Sequence, residues 1–204
     1  MERSIVIPCE EGLALEGIYV SGELGGAVVA PPHPLYGGSL ESPVVGEVSH
    51  ACALAGRASL RFNWRGVGAS AGERSGEAAD ALADYRAALS ELAASVEGPL
   101  LAAGYSFGAC AAVAAAVTEP RVQQLVLIAP PASMLDAEAL SGFVGRALLV
   151  AGGRDELAPA SALEPLVAQA ESRRLEVIPE ADHFFMDGLA DVGRHVREWL
   201  GVAS

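Results

Sequence analysis

The feature that most constrains the fold of this chain is the pentapeptide Gly-Tyr-Ser-Phe-Gly at residues 104–108. An apolar run at 100–103 precedes it, and an alanine-rich run at 109–117 follows it. The first run is typical of a buried strand and the second of a buried helix. The pattern predicts a tight strand-to-helix turn, where glycines are needed because a Cβ would clash with neighbouring backbone.

Composition limits the kind of protein that this can be. The chain has 204 residues, 51% of them hydrophobic, and we expect a single globular domain over 1–204. The net charge is −13 and no run of basic residues occurs, so nucleic acid and anionic membranes are not expected partners. Free thiols are expected at Cys9, Cys52 and Cys110, and no cluster of side chains has metal-ligand spacing. We therefore expect neither a metal nor a cofactor.

One segment imitates a membrane span. Residues 98–118 carry no charge, but Pro99, Gly104 and Gly108 interrupt them. A strand, a turn and a helix explain this segment better than a membrane helix. The first residues show no apolar signal-peptide stretch. We therefore expect a soluble, cytoplasmic protein.

Strand and helix patterns alternate along the chain. Two apolar runs at 5–8 and 13–20 flank Glu-Glu-Gly and predict an antiparallel hairpin. Further strands are expected at 27–30, 58–62, 100–105, 125–129, 147–151 and 175–178, with helices at 44–55, 82–96, 109–117, 161–170 and 189–199. This alternation predicts an α/β fold with a mostly parallel sheet of about eight strands and helices on both faces. Ligands then bind at the carboxyl ends of the strands.

Two helices carry signals at their ends. Ser42 can cap the helix at 44–55, Pro43 suits its first turn, and Gly56 suits its end. The Ser-Ala-Leu-Glu sequence at 161–164 predicts a capping box for a helix that runs to about residue 170. Pro165 weakens the first turns of that helix.

A serine on such a turn needs a base and a carboxylate to act as a nucleophile. The predicted base is His183, which follows the 175–178 strand on a strand-end loop, whereas His195 falls inside the last helix. The predicted acid is Asp155, which follows the 147–151 strand. Glu156 and Asp182 are the alternatives to that acid. With Ser106 as nucleophile, the order along the chain is serine, aspartate, histidine, each after a different strand.

An oxyanion intermediate also needs two N–H donors. One is expected at Phe107, directly after the serine. The other should lie in the His-Pro-Leu-Tyr-Gly-Gly loop at 33–38, where Leu35 is the first candidate and Tyr36 the second, because proline has no N–H. The glycine-containing loop at 61–70 lacks a P-loop lysine and is interpreted as a structural turn that can also form a cleft wall. The candidate cleft-lining residues are His33, Tyr36, Trp64 and Tyr105.

Four motifs together resemble the α/β-hydrolase superfamily, over nearly the whole chain. They are His-Pro-Leu-Tyr-Gly-Gly at 33–38, Arg-Phe-Asn-Trp-Arg-Gly-Val-Gly-Ala-Ser at 61–70, Gly-Tyr-Ser-Phe-Gly at 104–108 and Ala-Asp-His-Phe-Phe at 181–185. The chain looks most similar to small bacterial members close to dienelactone-hydrolase-type carboxylesterases, although true dienelactone hydrolases have cysteine at the nucleophile position. The resemblance implies Ser106, Asp155 and His183 as a triad, and Leu35 and Phe107 as the oxyanion hole.

The resemblance also bears on the substrate. Only residues 130–146 separate two consecutive strands at the place where larger lipases of the superfamily carry a lid, so no lid domain is expected. An open, shallow cleft suits small soluble esters or thioesters, and the expected partner is such a small molecule. Acyl transfer or perhydrolysis with the same triad, or ligand binding on an inactive hydrolase scaffold, are the alternatives. The protein is expected to be a monomer or a homodimer.

Overall fold

A computed structural model describes residues 2–202 of the chain. Its strands are β1 (Glu2–Pro8), β2 (Ala14–Val20), β3 (Gly26–Ala30), β4 (Ala58–Phe62), β5 (Leu100–Tyr105), β6 (Val122–Ile128), β7 (Arg146–Gly152) and β8 (Arg173–Ile178). Its α-helices are α1 (Pro43–Leu54), α2 (Ala78–Ser95), α3 (Phe107–Ala116), α4 (Ala137–Gly142), α5 (Ala160–Val167) and α6 (Leu189–Leu200). Short 3₁₀ turns lie at Glu10–Gly12 and Pro34–Tyr36.

The eight strands form one sheet in the order β1-β2-β4-β3-β5-β6-β7-β8. β1 and β2 make an antiparallel hairpin, and β2 also pairs antiparallel with β4. The remaining strands, from β4 to β8 in the order of the sheet, run parallel. The prediction of a mostly parallel sheet with an antiparallel hairpin at its start is therefore confirmed. β5 lies between β3 and β6, so the turn after it opens at the middle of one sheet edge.

Apolar side chains cover the sheet on both faces, because successive strand residues point to opposite sides. On one face, Val28 and Ala102 pack with side chains of α2 and α3, among others. On the other, Val29 and Ala103 pack with side chains of α1 and α6. This two-sided burial explains why the parallel strands read as continuous apolar runs in the sequence.

The helix ends agree only in part with the sequence signals. Pro43 opens α1 as predicted, and Gly56 lies just past its end at a φ of 74°. The side chain of Ser42, at the predicted cap, makes no capping hydrogen bond. The capping box at 161–164 is wrong: α5 begins one residue earlier after Pro159, so Ser161 lies within the first turn instead of before it.

The connection between β6 and β7 contains the short helix α4. Asp136 caps this helix through a hydrogen bond that its side chain accepts from the N–H of Ala139, at 2.9 Å. A six-residue helix is too short to cover the sheet edge, so the absence of a lid, predicted from this connection, is confirmed. Within residues 2–202, no helix is both long and apolar enough to cross a membrane.

Candidate active site

Ser106 occupies a strained turn between β5 and α3. Its φ of 54° and ψ of −118° lie in a region that side chains rarely adopt. A Cβ on Gly104 would lie 2.2 Å from the carbonyl carbon of Gly108, and a Cβ on Gly108 would lie 2.5 Å from the carbonyl oxygen of Pro31. Both glycines are therefore required by the close approach of backbone, as the sequence predicted.

His183 lies beside this serine. It follows β8, and its Nε2 is 3.0 Å from Oγ of Ser106. The hydroxyl of Tyr105 donates a hydrogen bond to the carbonyl of His183 at 2.8 Å, which fixes the backbone of the histidine loop to the end of β5. His195, the other histidine after the serine, lies on α6 with its Nδ1 3.4 Å from Oε2 of Glu176.

Asp155 is the carboxylate that faces the histidine. Its Oδ2 lies 2.8 Å from Nδ1 of His183, and its Oδ1 accepts hydrogen bonds from the N–H groups of Leu157 and Ala158, both at 2.8 Å. The alternatives lie elsewhere. The side chain of Glu156 is exposed, and that of Asp182 accepts a hydrogen bond from the N–H of Phe184.

The surroundings keep Asp155 ionised. Burial by itself would raise the pKa of this carboxyl group, but hydrogen bonds from His183, Ala158 and Leu157 outweigh it and hold the pKa below the usual range. An ionised carboxylate at Nδ1 keeps the ring proton on that nitrogen and leaves Nε2 free to accept the serine proton. An arrangement of this kind can support nucleophilic attack by a serine hydroxyl.

The predicted oxyanion donors differ in whether their N–H groups already have a hydrogen-bond acceptor. Phe107 is the first residue of α3, where an N–H has no acceptor inside the helix, and the structure gives it no acceptor among residues 2–202. In contrast, the N–H of Leu35 donates to Nδ1 of His33 at 3.2 Å, and that of Tyr36 donates to the carbonyl of His33 at 3.1 Å. Both candidates for the second donor are therefore engaged within their own loop.

Residues that follow β4 hold this loop in place. The indole N–H of Trp64 donates to the carbonyls of Pro32 at 2.9 Å and Pro31 at 3.2 Å. Oδ1 of Asn63 accepts a hydrogen bond from the N–H of Leu40 at 2.8 Å. The loop is thus fastened at both of its ends. Sequence reasoning missed Asn63, whose one signal is its position directly after a buried strand.

The candidate cleft residues divide into two pairs. Trp64 and Tyr105 were expected at the cleft surface, but they are 1% and 5% exposed and support the loops from beneath. Their hydrogen bonds to backbone carbonyls explain the burial, since a buried polar group needs a partner. Tyr36 is 87% exposed and His33 is half-buried, so both can reach a ligand.

Other features of the molecule lie outside this site. A cavity of about 1040 Å³ is lined by Arg57, Val122, Phe143 and Arg146, at the amino ends of the strands and so at the sheet edge opposite Ser106. Among the residues that the structure describes, no three histidine, cysteine or carboxylate side chains are grouped to hold a metal ion.

Comparison with known proteins gives concordant results. A family model described as Hydrolase_4, serine aminopeptidase S33, matches residues 37–146. An uncharacterised protein of Mycobacterium tuberculosis is 31% identical in an alignment 209 residues long. The alignment covers 89% of this chain and 72% of that protein. A second uncharacterised protein, from Rickettsia prowazekii, is 27% identical over 185 residues, covering 85% of this chain and 77% of that protein.

Solved structures of similar proteins share the architecture. An α/β serine hydrolase homologue from Coxiella burnetii has a TM-score of 0.86 at 27% identity, covering 98% of this chain and 97% of its own. A lidless α/β serine hydrolase from Xanthomonas campestris has a TM-score of 0.83 at 28% identity, covering 100% of this chain and 97% of its own.

Proposed function

Because the chain belongs to the Hydrolase_4 family of α/β hydrolases, we propose that it is a serine hydrolase that cleaves small carboxylic esters or thioesters. The observation that carries this proposal is the buried relay from Asp155 through His183 to Ser106, with hydrogen-bond distances of 2.8 and 3.0 Å. The family and the fold support hydrolase activity. The choice of ester and the roles of the three side chains are the proposal.

The proposed reaction has two halves. Oγ of Ser106 attacks the carbonyl carbon while Nε2 of His183 takes the hydroxyl proton, and the N–H of Phe107 donates to the oxygen that becomes negative. Collapse of the tetrahedral intermediate breaks the ester bond, and His183 gives its proton to the leaving alcohol or thiol. Water then attacks the acyl-enzyme with the same base, which releases the acid and restores the serine.

The surroundings of Ser106 support a small substrate. The β6–β7 connection provides no domain to cover the site, so a long acyl chain would have little enclosed surface to bind. Exposed Tyr36 and Phe184 lie on the loops after β3 and β8, and they offer apolar contact to a short acyl or aromatic group. We further propose that residues 1–204 form one domain that acts on a small molecule in the cytoplasm, as a monomer or a homodimer.

The same three side chains could serve two other reactions, and each of these reactions needs its own assay. The family description raises cleavage of a peptide bond after an amino-terminal residue. The same acyl-enzyme could also pass its acyl group to an alcohol or to peroxide instead of water. No contact among the described residues favours either alternative over ester hydrolysis, so ester hydrolysis remains our proposal.

The decisive experiment combines active-site labelling with a substrate panel. A fluorophosphonate probe should label the wild-type protein and leave Ser106→Ala unlabelled. p-Nitrophenyl esters from acetate to palmitate should be cleaved fastest at the short end, while alanine p-nitroanilide should be cleaved far more slowly. Absence of labelling would refute a reactive serine. A rate that rises sharply above the micelle concentration of a long ester would refute the small-ester assignment, and product analysis with added alcohol or peroxide reports acyl transfer.

A further inference from the structure

His33 contacts both residues whose N–H groups are predicted to be oxyanion donors. Its Nδ1 accepts the hydrogen bond from the N–H of Leu35 at 3.2 Å, and its ring centroid lies 4.5 Å from that of Phe107. Leu35 belongs to the loop after β3, whereas Phe107 opens α3. One imidazole therefore connects the two backbone segments from which the oxyanion donors are expected.

The place of this imidazole is closely defined. A Cβ on Gly76 would lie 2.7 Å from Cε1 and 3.0 Å from Nε2 of His33, so the ring packs directly against the backbone of that glycine. The ring of Tyr36 lies on it at a centroid distance of 4.8 Å. Phe107, Tyr36 and Gly76 contact the half-buried ring and restrict its rotation, which keeps its Nδ1 lone pair directed at the N–H of Leu35.

The hydrogen bond defines the charge state of His33. Nδ1 can accept a hydrogen bond only from a neutral ring that carries its proton on Nε2. Burial lowers the pKa of His33, so the neutral ring persists below the usual range of histidine. Tyr36 packs on the ring, and none of the ion pairs among the side chains that the structure describes includes His33.

We infer that His33 is a positioning residue for the proposed hydrolysis: its neutral imidazole holds the Leu35 N–H, and its ring holds Phe107, until the oxyanion forms. This inference rests on the proposed function. In the resting enzyme the Leu35 N–H has a neutral acceptor at a long distance. A hydrogen bond to an oxyanion is shorter and stronger than one between neutral groups, so the developing charge draws the N–H away from Nδ1.

A matched pair of variants separates this role from simple packing. His33→Asn keeps a side-chain acceptor for the N–H two residues further on, because asparagine forms the equivalent turn. His33→Phe keeps the ring against Phe107 but has no acceptor. We expect His33→Phe to lower kcat about 10²-fold with little change in KM, the size of effect that misplaced catalytic groups produce. His33→Asn should stay within about fivefold of the wild-type kcat.

The pH dependence of kcat/KM separates the two roles, because a purely structural role of His33 would not alter the slope of its acid limb. If His33 and His183 must both be neutral, the acid limb of log kcat/KM for the wild type should steepen from a slope of about 1 to a slope of about 2 once the pH falls below the lowered pKa of His33. In His33→Asn only His183 remains, and the slope should fall to about 1. Circular dichroism and thermal unfolding establish that each variant is folded before the profiles are compared.

The outcomes discriminate between this inference and the function on which it rests. Full activity in folded His33→Phe, large loss in folded His33→Asn, or a wild-type slope that stays at about 1 below the lowered pKa of His33 would each overturn the role of His33. All three leave ester hydrolysis intact, because the wild type would still cleave p-nitrophenyl acetate and Ser106→Ala would not. Wild-type rates in Ser106→Ala would instead refute the proposed function itself.

Discussion

Asp155→Asn is the substitution whose effect the structure defines most closely. Oδ1 of Asp155 accepts two backbone hydrogen bonds, from Leu157 and Ala158, while Oδ2 faces Nδ1 of His183. An asparagine there keeps its oxygen toward the two N–H donors, since the opposite orientation would aim its NH₂ group at both of them. Two donors without acceptors would cost about 2–6 kcal/mol, at about 1–3 kcal/mol each.

The new NH₂ group therefore points at Nδ1 of His183 and makes that nitrogen the acceptor. The ring proton moves to Nε2, which then donates to Ser106 and cannot take its proton. Loss of the correct tautomer should lower kcat about 10⁴-fold, equivalent to about 5.4 kcal/mol in the barrier.

The assay is hydrolysis of p-nitrophenyl acetate, with the tautomer of His183 read from the ¹⁵N shifts of its ring. Glu156→Gln, the same chemical change at the exposed neighbour, is the control and should stay within about twofold of wild type. A folded Asp155→Asn enzyme within about tenfold of the wild-type kcat would refute the reasoning, as would a ring proton that remains on Nδ1.

Three further predictions follow from neighbouring contacts. Leu35→Pro removes a backbone N–H donor and should lower kcat about 10²–10³-fold. Leu35→Ala changes only an exposed side chain and should have a mild effect on kcat. If a folded Leu35→Pro variant is fully active and a folded Tyr36→Pro variant is not, the donor is Tyr36. Tyr105→Phe removes the hydrogen bond to the carbonyl of His183, which should lower the free energy of unfolding by about 1 kcal/mol and Tm by about 2–4 °C. Calorimetry measures the Tm, and an unchanged Tm argues against that hydrogen bond. The lowered pKa of Asp155 stabilises the fold above the unfolded carboxyl pKa of about 3.9, and this stabilisation is lost as the pH falls through the folded pKa. The difference in unfolding free energy between wild type and Asp155→Asn, measured by urea titration, should therefore stay constant above about pH 5 and shrink as the pH falls below that value. A difference that does not change with pH would contradict this prediction.

The order of elements could be predicted from the sequence because each depends on a local pattern. Strands buried on both faces are continuous apolar runs, and their alternation with periodic segments leaves few arrangements of a parallel sheet. Helix ends were less predictable. The serine at 161 has a capping-box pattern, but Pro159 already occupies the cap of α5, and the local pattern does not show which residue the chain will use.

The candidate site divides in the same way. The sequence places Ser106, Asp155 and His183 after three strands, but the backbone donors at 157 and 158 orient Asp155 toward His183. That orientation is a tertiary feature. The hydrogen bond from Leu35 to His33 is likewise invisible in the sequence, because it depends on the rotamer of a ring that Phe107 and Gly76 confine.

The backbone of Ser106 has a consequence for the stability of this protein. A non-glycine residue at such a φ and ψ costs about 1–3 kcal/mol, which the surrounding fold must supply. Glycine would relieve that strain, against an entropic penalty of roughly 0.5–1 kcal/mol for the unfolded chain. Ser106→Gly should then unfold at a higher temperature than the wild type while being inactive. Under the proposed chemistry, the most stable sequence for this fold and its working sequence differ at the nucleophile.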